Sequence, residues 1–271
     1  MTSTRFDISP DDADFELAFS DGSTDTSNCI VRTVDEPFDY FLAHPLRIAS
    51  ACRLAAQTGA RIEPKTLQAM KSLKMKLFPA DAPRIRTELD KLLLGDYVYN
   101  ALMETVDVLV AVMPEVAACR DFAQPTPYHI YDVWEHTAWV VQYSPATSLS
   151  RWAALLHDIG KPAAGFMDGE VIHFFGHAKI SAILARNLLE RLKMEPDFTE
   201  RVVTLVSMHD DKIPAEPEAV RGAVERLNGD TELFRALCKL KLADALAHSE
   251  LGEPRVKRAQ ELERLLDAME A

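Results

Sequence analysis

A histidine and an aspartate stand side by side in AALLHDIGKP, residues 153 to 162. Leu149, Trp152, Ala153 and Leu156 follow the i, i+3, i+4, i+7 spacing of one apolar helical stripe. His157 and Asp158 therefore fall at the C-terminal end of that helix, with Gly160 as its expected stop. An aspartate there meets the unfavourable end of the helix dipole. A bound cation is the natural compensation.

The same anomaly recurs along the chain. His136 lies three residues after Val133 and four before Val140, so it shares their apolar stripe. Asp244 follows Leu237 by seven and Leu240 by four. His177 precedes Ile180 and Leu184 by three and seven, and His209 follows Val202 and Leu205 by seven and four. A buried imidazole or carboxylate is costly unless bonded or coordinated. One such histidine is most often a hydrogen-bonded core residue. Four histidines and two aspartates facing inward on consecutive helices point to a metal instead, and imidazole with carboxylate suits Mn, Fe, Co, Ni or Zn. The expected cofactor is one or two divalent ions, from Mn, Fe, Co, Ni, Mg or Zn.

The elements that must position these residues are helical. From Pro45 onward, PLRIASACRLAAQTG, PKTLQAMKSLKMKLF and APRIRTELDKLLLG each show helical periodicity with an early proline, and the first and third end at a glycine. QPTPYH, residues 124 to 129, has the prolines of a linker. GFMDGEVIHFFG has room for a hairpin at Asp168-Gly169, and Asp197 with Glu200 is spaced as a capping-box variant. The expected class is all-α: an irregular or weak-strand arm over residues 1–36, a helical neck over 37–123 and a helical bundle over 124–271. No internal repeat or low-complexity tract interrupts this plan.

The chain has 271 residues, of which 48% are hydrophobic and 27% charged, enough for a sizeable core. No run of about 18 apolar residues occurs, and the N-terminus lacks a signal-peptide pattern, so a soluble, cytoplasmic protein without membrane contact is expected. Cys29, Cys52, Cys119 and Cys238 form no CxxC pair, which points away from a disulfide framework or zinc ribbon. A net charge of −12 disfavours general nucleic-acid binding. The charge is uneven: residues 1 to 36 hold nine acids and two bases, residues 61 to 91 eight bases and four acids. Solvated surface is the simplest reading of both.

The ordered set His136, His157-Asp158 and Asp244 resembles the H…HD…D pattern of the HD-domain metal-dependent phosphohydrolases, and HDIGKP is similar to the central motif of that superfamily. His177 and His209 match positions that supply a second metal in its binuclear members. The segments YHIYDVWEHT, RWAALLHDIGKP, HFFGHAKISA and LKLADALAHS resemble more narrowly the HD domain of bacterial tRNA nucleotidyltransferases (CCA-adding enzymes) and poly(A) polymerases. VRTVDEPFDYFLAHPLRIASACRLAAQTG and RIRTELDKLLLG are similar to their neck. The likeness spans roughly residues 31 to 250.

The resemblance implies that His136, His157, Asp158 and Asp244 hold one metal and that Asp158 bridges to a second held by His177 and His209. Asp158 and Lys161 are the catalytic candidates, Lys161 for charge developing on the phosphate; the plain alternative is an exposed helix-end lysine. It further implies a small phosphorylated substrate, a nucleotide, as monoester or 2′,3′-cyclic phosphate, with a water nucleophile activated by metal. Where that family has a catalytic head, only about 30 residues precede the neck, and Ala43 and His44 stand in place of two acids of the nucleotide-selecting motif, before Arg47. The expectation is a phosphohydrolase and not a nucleotidyltransferase. Two alternatives carry the same ligands: a non-catalytic, metal-stabilised RNA- or protein-binding module, with weak tRNA contact through Lys71, Lys74, Lys76, Arg84 and Arg86, and a di-iron oxygenase. His129, Trp134, His173, Asp210 and Asp211 are read as packing or solvated surface as readily as site residues.

Overall fold

The structure is a computed structural model that describes residues 12–19, 29–77 and 81–270. It divides into two compact units, residues 1–117 with 191–193 and residues 118–190 with 194–271. Helices dominate both, as the periodicity predicts, so the fold is all-α with two small sheets.

In the first unit, FELAF forms β1 (Phe15–Phe19), antiparallel to β2 (Cys29–Thr33). The helices α1 (Pro37–Ala43) and α2 (Arg47–Thr58) follow, then β3 (Arg61–Ile62), which extends the sheet parallel to β2. Next come α3 (Pro64–Leu73), α4 (Ala82–Leu93) and α5 (Val98–Leu109). Pro37 and Pro64 open α1 and α3, where a missing N–H costs nothing. Pro45 does not open α2; it sits in the turn before it, its carbonyl accepting from the Ile48 amide. α2 is buried on nearly every side against α4 and α5, and Gly59, at φ 72°, ends it in the left-handed conformation. Of the arm expected over residues 1–36, residues 1–11 and 20–28 lie outside the described residues.

The second unit contains α6 (Val133–Tyr143), α7 (Ser148–Leu156), α8 (Lys161–Ala164), the hairpin β4 (Phe166–Asp168) and β5 (Val171–His173), and α9 (His177–Arg191). It continues with α10 (Pro196–Met208), α11 (Pro217–Arg226), α12 (Thr231–Leu246) and α13 (Glu253–Glu270). The β4–β5 turn is at Asp168-Gly169, where Gly169 takes φ 61°. α7 is the central rod: Trp152, Ala153, Ala154, Leu155 and Leu156 are all fully buried against α6, α10 and α12. Its small alanines let neighbours approach closely, which brings three further helices to its C-terminal end.

In the second unit, the starts of α6, α7 and α12 are fixed by side chains. Asp132 accepts from the Glu135 amide at 2.7 Å, Thr147 from Ser150 at 3.3 Å and Asp230 from Leu233 at 2.8 Å. Such caps are each worth about 1 kcal/mol. The capping box expected at Asp197 is not formed. Pro196, whose ring sets a helical φ, starts α10 one residue earlier, with Glu195 at the cap position and no side-chain cap bond. No helix among the described residues is long and apolar enough to cross a membrane.

Candidate metal centre

Six inward-facing residues meet at the end of α7. His157 caps that helix and Asp158 opens the turn after it; His136 comes from the middle of α6. His177 is the first residue of α9, His209 follows the last residue of α10, and Asp244 sits near the end of α12. All but Asp244 are buried, and its side chain, 18% exposed, is the open edge of the group.

Asp158 is the centre. Its Oδ2 lies 3.1 Å from His157 Nε2 and 3.6 Å from His136 Nε2, while its Oδ1 lies 3.3 Å from His177 Nε2 and 3.5 Å from His209 Nε2. Asp244 Oδ1 completes the first half, 3.1 Å from His136 Nε2 and 3.9 Å from His157 Nε2. One carboxylate thus presents a different oxygen to each half of the cluster. His136–His157–Asp158 and Asp158–His177–His209 are both groups whose donor atoms could share an ion.

The imidazoles are oriented by backbone carbonyls. The Nδ1 of His157, His177 and His209 donates to the carbonyl three residues earlier, at 2.7, 2.8 and 2.7 Å. His136 Nδ1 faces the Ala247 carbonyl at 3.4 Å. This fixes the tautomer that leaves Nε2 as a lone pair, the arrangement a ligating histidine needs. The lone pairs then converge: His177 and His209 face each other Nε2 to Nε2 at 3.1 Å. His157 Nε2 and Asp158 Oδ1 are fully buried without a hydrogen-bond partner. Buried acceptors aimed at one another are costly unless a cation lies among them. The donor set therefore fits one or two divalent ions.

Lys161 is buried rather than exposed. Its Nζ lies 2.7 Å from Asp158 Oδ2, 2.7 Å from Gln124 Oε1 and 3.2 Å from His129 Nε2, over the Phe174 ring. Three donors meet three acceptors. Burial pushes the Asp158 carboxyl up, but His157 and Lys161 hold it well below the usual carboxylate range. Burial and then the Lys161 charge push His129 down to about 2, so its Nε2 stays an acceptor while Nδ1 faces Thr126 Oγ1 at 2.7 Å. Burial lowers His136 to about 4, against the pull of the neighbouring Asp244 carboxylate.

Gly160 was expected only to stop a helix. It opens α8 instead, at φ −86°, and its role is close approach. A Cβ there would meet the Ser181 nitrogen at 2.5 Å and the His177 carbonyl oxygen at 2.7 Å, and the Gly160 amide donates to Ser181 Oγ at 2.9 Å. The HD turn is thereby pressed against the first turns of α9, which sets His177 beside Asp158.

Sequence reasoning missed His248. It lies four residues after Asp244, stacks near His136 and His129 with ring centroids at 5.0 and 4.7 Å, and forms a third group of possible ligands with His136 and Asp244. The i, i+4 spacing from Asp244 was the available signal. His173 is not in the cluster; it stacks on Phe175.

Known proteins resemble this chain in both units. The HD domain family matches residues 127–265, and the family described as "Probable RNA and SrmB- binding site of polymerase A" matches residues 59–119. The A-adding tRNA nucleotidyltransferase of Deinococcus radiodurans is 31% identical over 92% of this chain and 60% of its own length. The CC-adding tRNA nucleotidyltransferase of Thermus thermophilus is 33% identical over 74% of this chain and 49% of its own. The Bacillus stearothermophilus CCA-adding enzyme in complex with CTP shares the fold, with a TM-score of 0.59, 20% identity and coverage of 88% of this chain and 50% of that one. The chain thus spans about half to three fifths of the length of these relatives.

These relatives overturn one expectation, that the chain is not a nucleotidyltransferase: two of the proteins it matches are tRNA nucleotidyltransferases by name. The expectation rested on the short segment before the neck and on Ala43 and His44. Two side chains and a starting point do not outweigh likeness that runs through the neck and the HD domain together. The chain belongs to the HD-domain family, its HD domain preceded by a neck of the polymerase A RNA-binding type.

Proposed function

We propose that the HD unit is a metal-dependent phosphohydrolase acting on nucleotide phosphate esters, monoesters or 2′,3′-cyclic phosphates. The observation that supports it most is the convergence of four oriented Nε2 lone pairs on the two oxygens of one buried carboxylate. In this reading His136, His157, Asp158 and Asp244 hold one divalent ion, and Asp158, His177 and His209 a second. Divalent ions bound there would supply Lewis acidity, neutralising phosphoryl oxygens and lowering the pKa of a water towards neutrality.

The chain's own residues do the rest. Asp158 keeps both oxygens committed, because Lys161 holds it ionised from one side and four imidazoles surround the others. Lys161 acts through Asp158 rather than on substrate, since its three donors are already matched. Asp244, the accessible member of the set, lines the cavity through which an ester reaches the cluster. The dry wall of α7 behind His157 keeps bulk water from the carboxylate and strengthens each of these interactions.

The test is a panel of divalent ions against 2′,3′-cyclic AMP, AMP and p-nitrophenyl phosphate, with homogeneous wild type and Asp158→Asn. Turnover that needs metal and disappears in Asp158→Asn supports the reading. Absence of hydrolysis with every ion and ester would sink it.

A second reading concerns the neck, favoured by its match to an RNA-binding family and by tRNA-acting relatives. In this reading the neck makes a weak contact with tRNA. Lys71 and Lys74 are tied to Asp107, at 2.8 Å to its carboxylate and 2.7 Å to its carbonyl, which leaves Lys76 and Arg84 as the more available cations. Filter binding of tRNA from low to high salt checks it: a shallow slope fits few phosphate contacts, and no retention at low salt would exclude it.

A further inference from the structure

Arg255 and Arg258 stand three residues apart on α13, hence on one face of it. Both line a cavity of about 110 Å³ whose other wall includes His209 and Asp244. Among the described residues neither guanidinium is in an ion pair; Arg255 rests 5.5 Å over the Tyr128 ring, and Arg258 has no polar partner. Other cations of the same helix are engaged: Lys257 binds Glu253 at 2.7 Å and Arg264 binds Glu261 at 2.6 Å.

The acids of this cavity are largely committed elsewhere. Asp211 pairs with Arg226 at 2.9 Å, and Asp244 belongs to the metal cluster. Lys241 closes the floor, its amine donating to the His209 and Asp211 carbonyls at 2.5 and 2.8 Å. Asp210 is the exposed carboxylate of this cavity, and it acts electrostatically on Lys241. In a chain of net charge −12, this cavity beside the candidate metal ligands holds two arginines outside any ion pair. Arginine forks match phosphate oxygens in pairs and are less strongly hydrated than ammonium groups, so they bind phosphate with little desolvation cost.

We infer that this cavity is a second anion subsite of the metal centre, and that the substrate carries a further phosphate held by Arg255 and Arg258. The substrate class is a nucleotide with two separate phosphates, as in a nucleoside bisphosphate, rather than a monophosphate. The inference rests on the phosphohydrolase reading for what happens at the first phosphate, but not for binding at the second.

Phosphonates test the binding without turnover, because their P–C bonds are not hydrolysed. Propane-1,3-diphosphonate and propylphosphonate are titrated calorimetrically into the full metal-loaded chain. The same is done for Arg255→Ala, Arg258→Ala, the double variant, and Lys257→Ala, which removes an equal charge from α13 away from the cavity. The diphosphonate is expected to bind wild type at least tenfold more tightly than the monophosphonate. Each arginine variant should lose about tenfold for the diphosphonate and within twofold for the monophosphonate, and Lys257→Ala should match wild type. Equal affinity for the two phosphonates in wild type, or equal losses in Lys257→Ala and the arginine variants, would overturn the subsite. Wild type that binds the diphosphonate as stated yet hydrolyses no ester would overturn the phosphohydrolase reading and leave the subsite in place.

Discussion

His177 and His209 face each other Nε2 to Nε2 at 3.1 Å, each with its Nδ1 already donated to a backbone carbonyl. Two lone pairs at that distance repel unless a proton or a metal ion lies with them. Because Asp158 Oδ1 is also directed at both rings, the position is anionic as well. This pair is the side of the cluster most dependent on a cation.

The two halves of the cluster should accordingly separate on mutation. His177→Ala or His209→Ala is expected to lower metal content from about two ions per chain towards one, with turnover falling steeply. The other half keeps His136, His157, Asp158 and Asp244. Metal analysis of wild type and both variants after identical dialysis reads this. A wild-type ratio near one, unchanged in the variants, would show that these histidines only pack.

Removing metal should also cost stability. Strong chelation is expected to lower Tm by several degrees, because binding to the folded state alone stabilises it by mass action. Re-addition of Mn or Zn should restore the transition. Calorimetric scans with and without chelator decide it; identical transitions would mean that the cluster is satisfied by protons.

Lys161 gives a prediction that divides positioning from direct catalysis. Lys161→Met removes the charge beside Asp158 Oδ2 and leaves Gln124 and His129 without their shared donor. Metal affinity should fall by roughly tenfold or more, in line with losses seen when the partners of metal ligands are removed. At saturating metal, KM for a monoester should be nearly unchanged. A variant with wild-type metal affinity but a large kcat loss would show that Lys161 acts on the substrate instead.

How much of this was legible beforehand follows from what each residue reports locally. The helical class was legible because apolar periodicity persists through most of the chain. His136, Asp244 and His209 stood out because each occupies a stripe otherwise filled by Val and Leu, a pattern that needs no knowledge of the fold. Lys161 was a catalytic candidate, but its burial was not legible: a lysine after a helix end looks solvated, and only the packing of Gln124, His129 and Phe174 around it makes it internal. His248 was hidden for a similar reason, since it lies beyond the end of α12 with no stripe to interrupt. The capping error at Asp197 arose because a proline at the first helical position outranks a spacing signal nearby.

Gly160 is the least legible residue of the site and supports the sharpest prediction. Its φ of −86° suits any residue, so backbone conformation does not require glycine there. The requirement is space. A methyl group would stand 2.5 Å from the Ser181 nitrogen and 2.7 Å from the His177 carbonyl oxygen, both backbone atoms of the first turns of α9. Neither atom can yield like a flexible side chain, so α9 must move away from the HD turn. Overpacking of this kind costs about 1–3 kcal/mol, and the Gly160–Ser181 hydrogen bond is strained or lost with it. The displacement carries His177 away from Asp158 Oδ1, while His136, His157 and Asp244 remain on helices that Gly160 does not touch. Gly160→Ala is therefore expected to lose the second metal ion and most turnover while retaining the first ion and its helical circular dichroism. Ser181→Ala is the companion variant: it removes the hydrogen bond without adding volume, and should be milder in both stability and stoichiometry. A Gly160→Ala protein that binds two ions with unchanged Tm would show that α9 is not held by this contact.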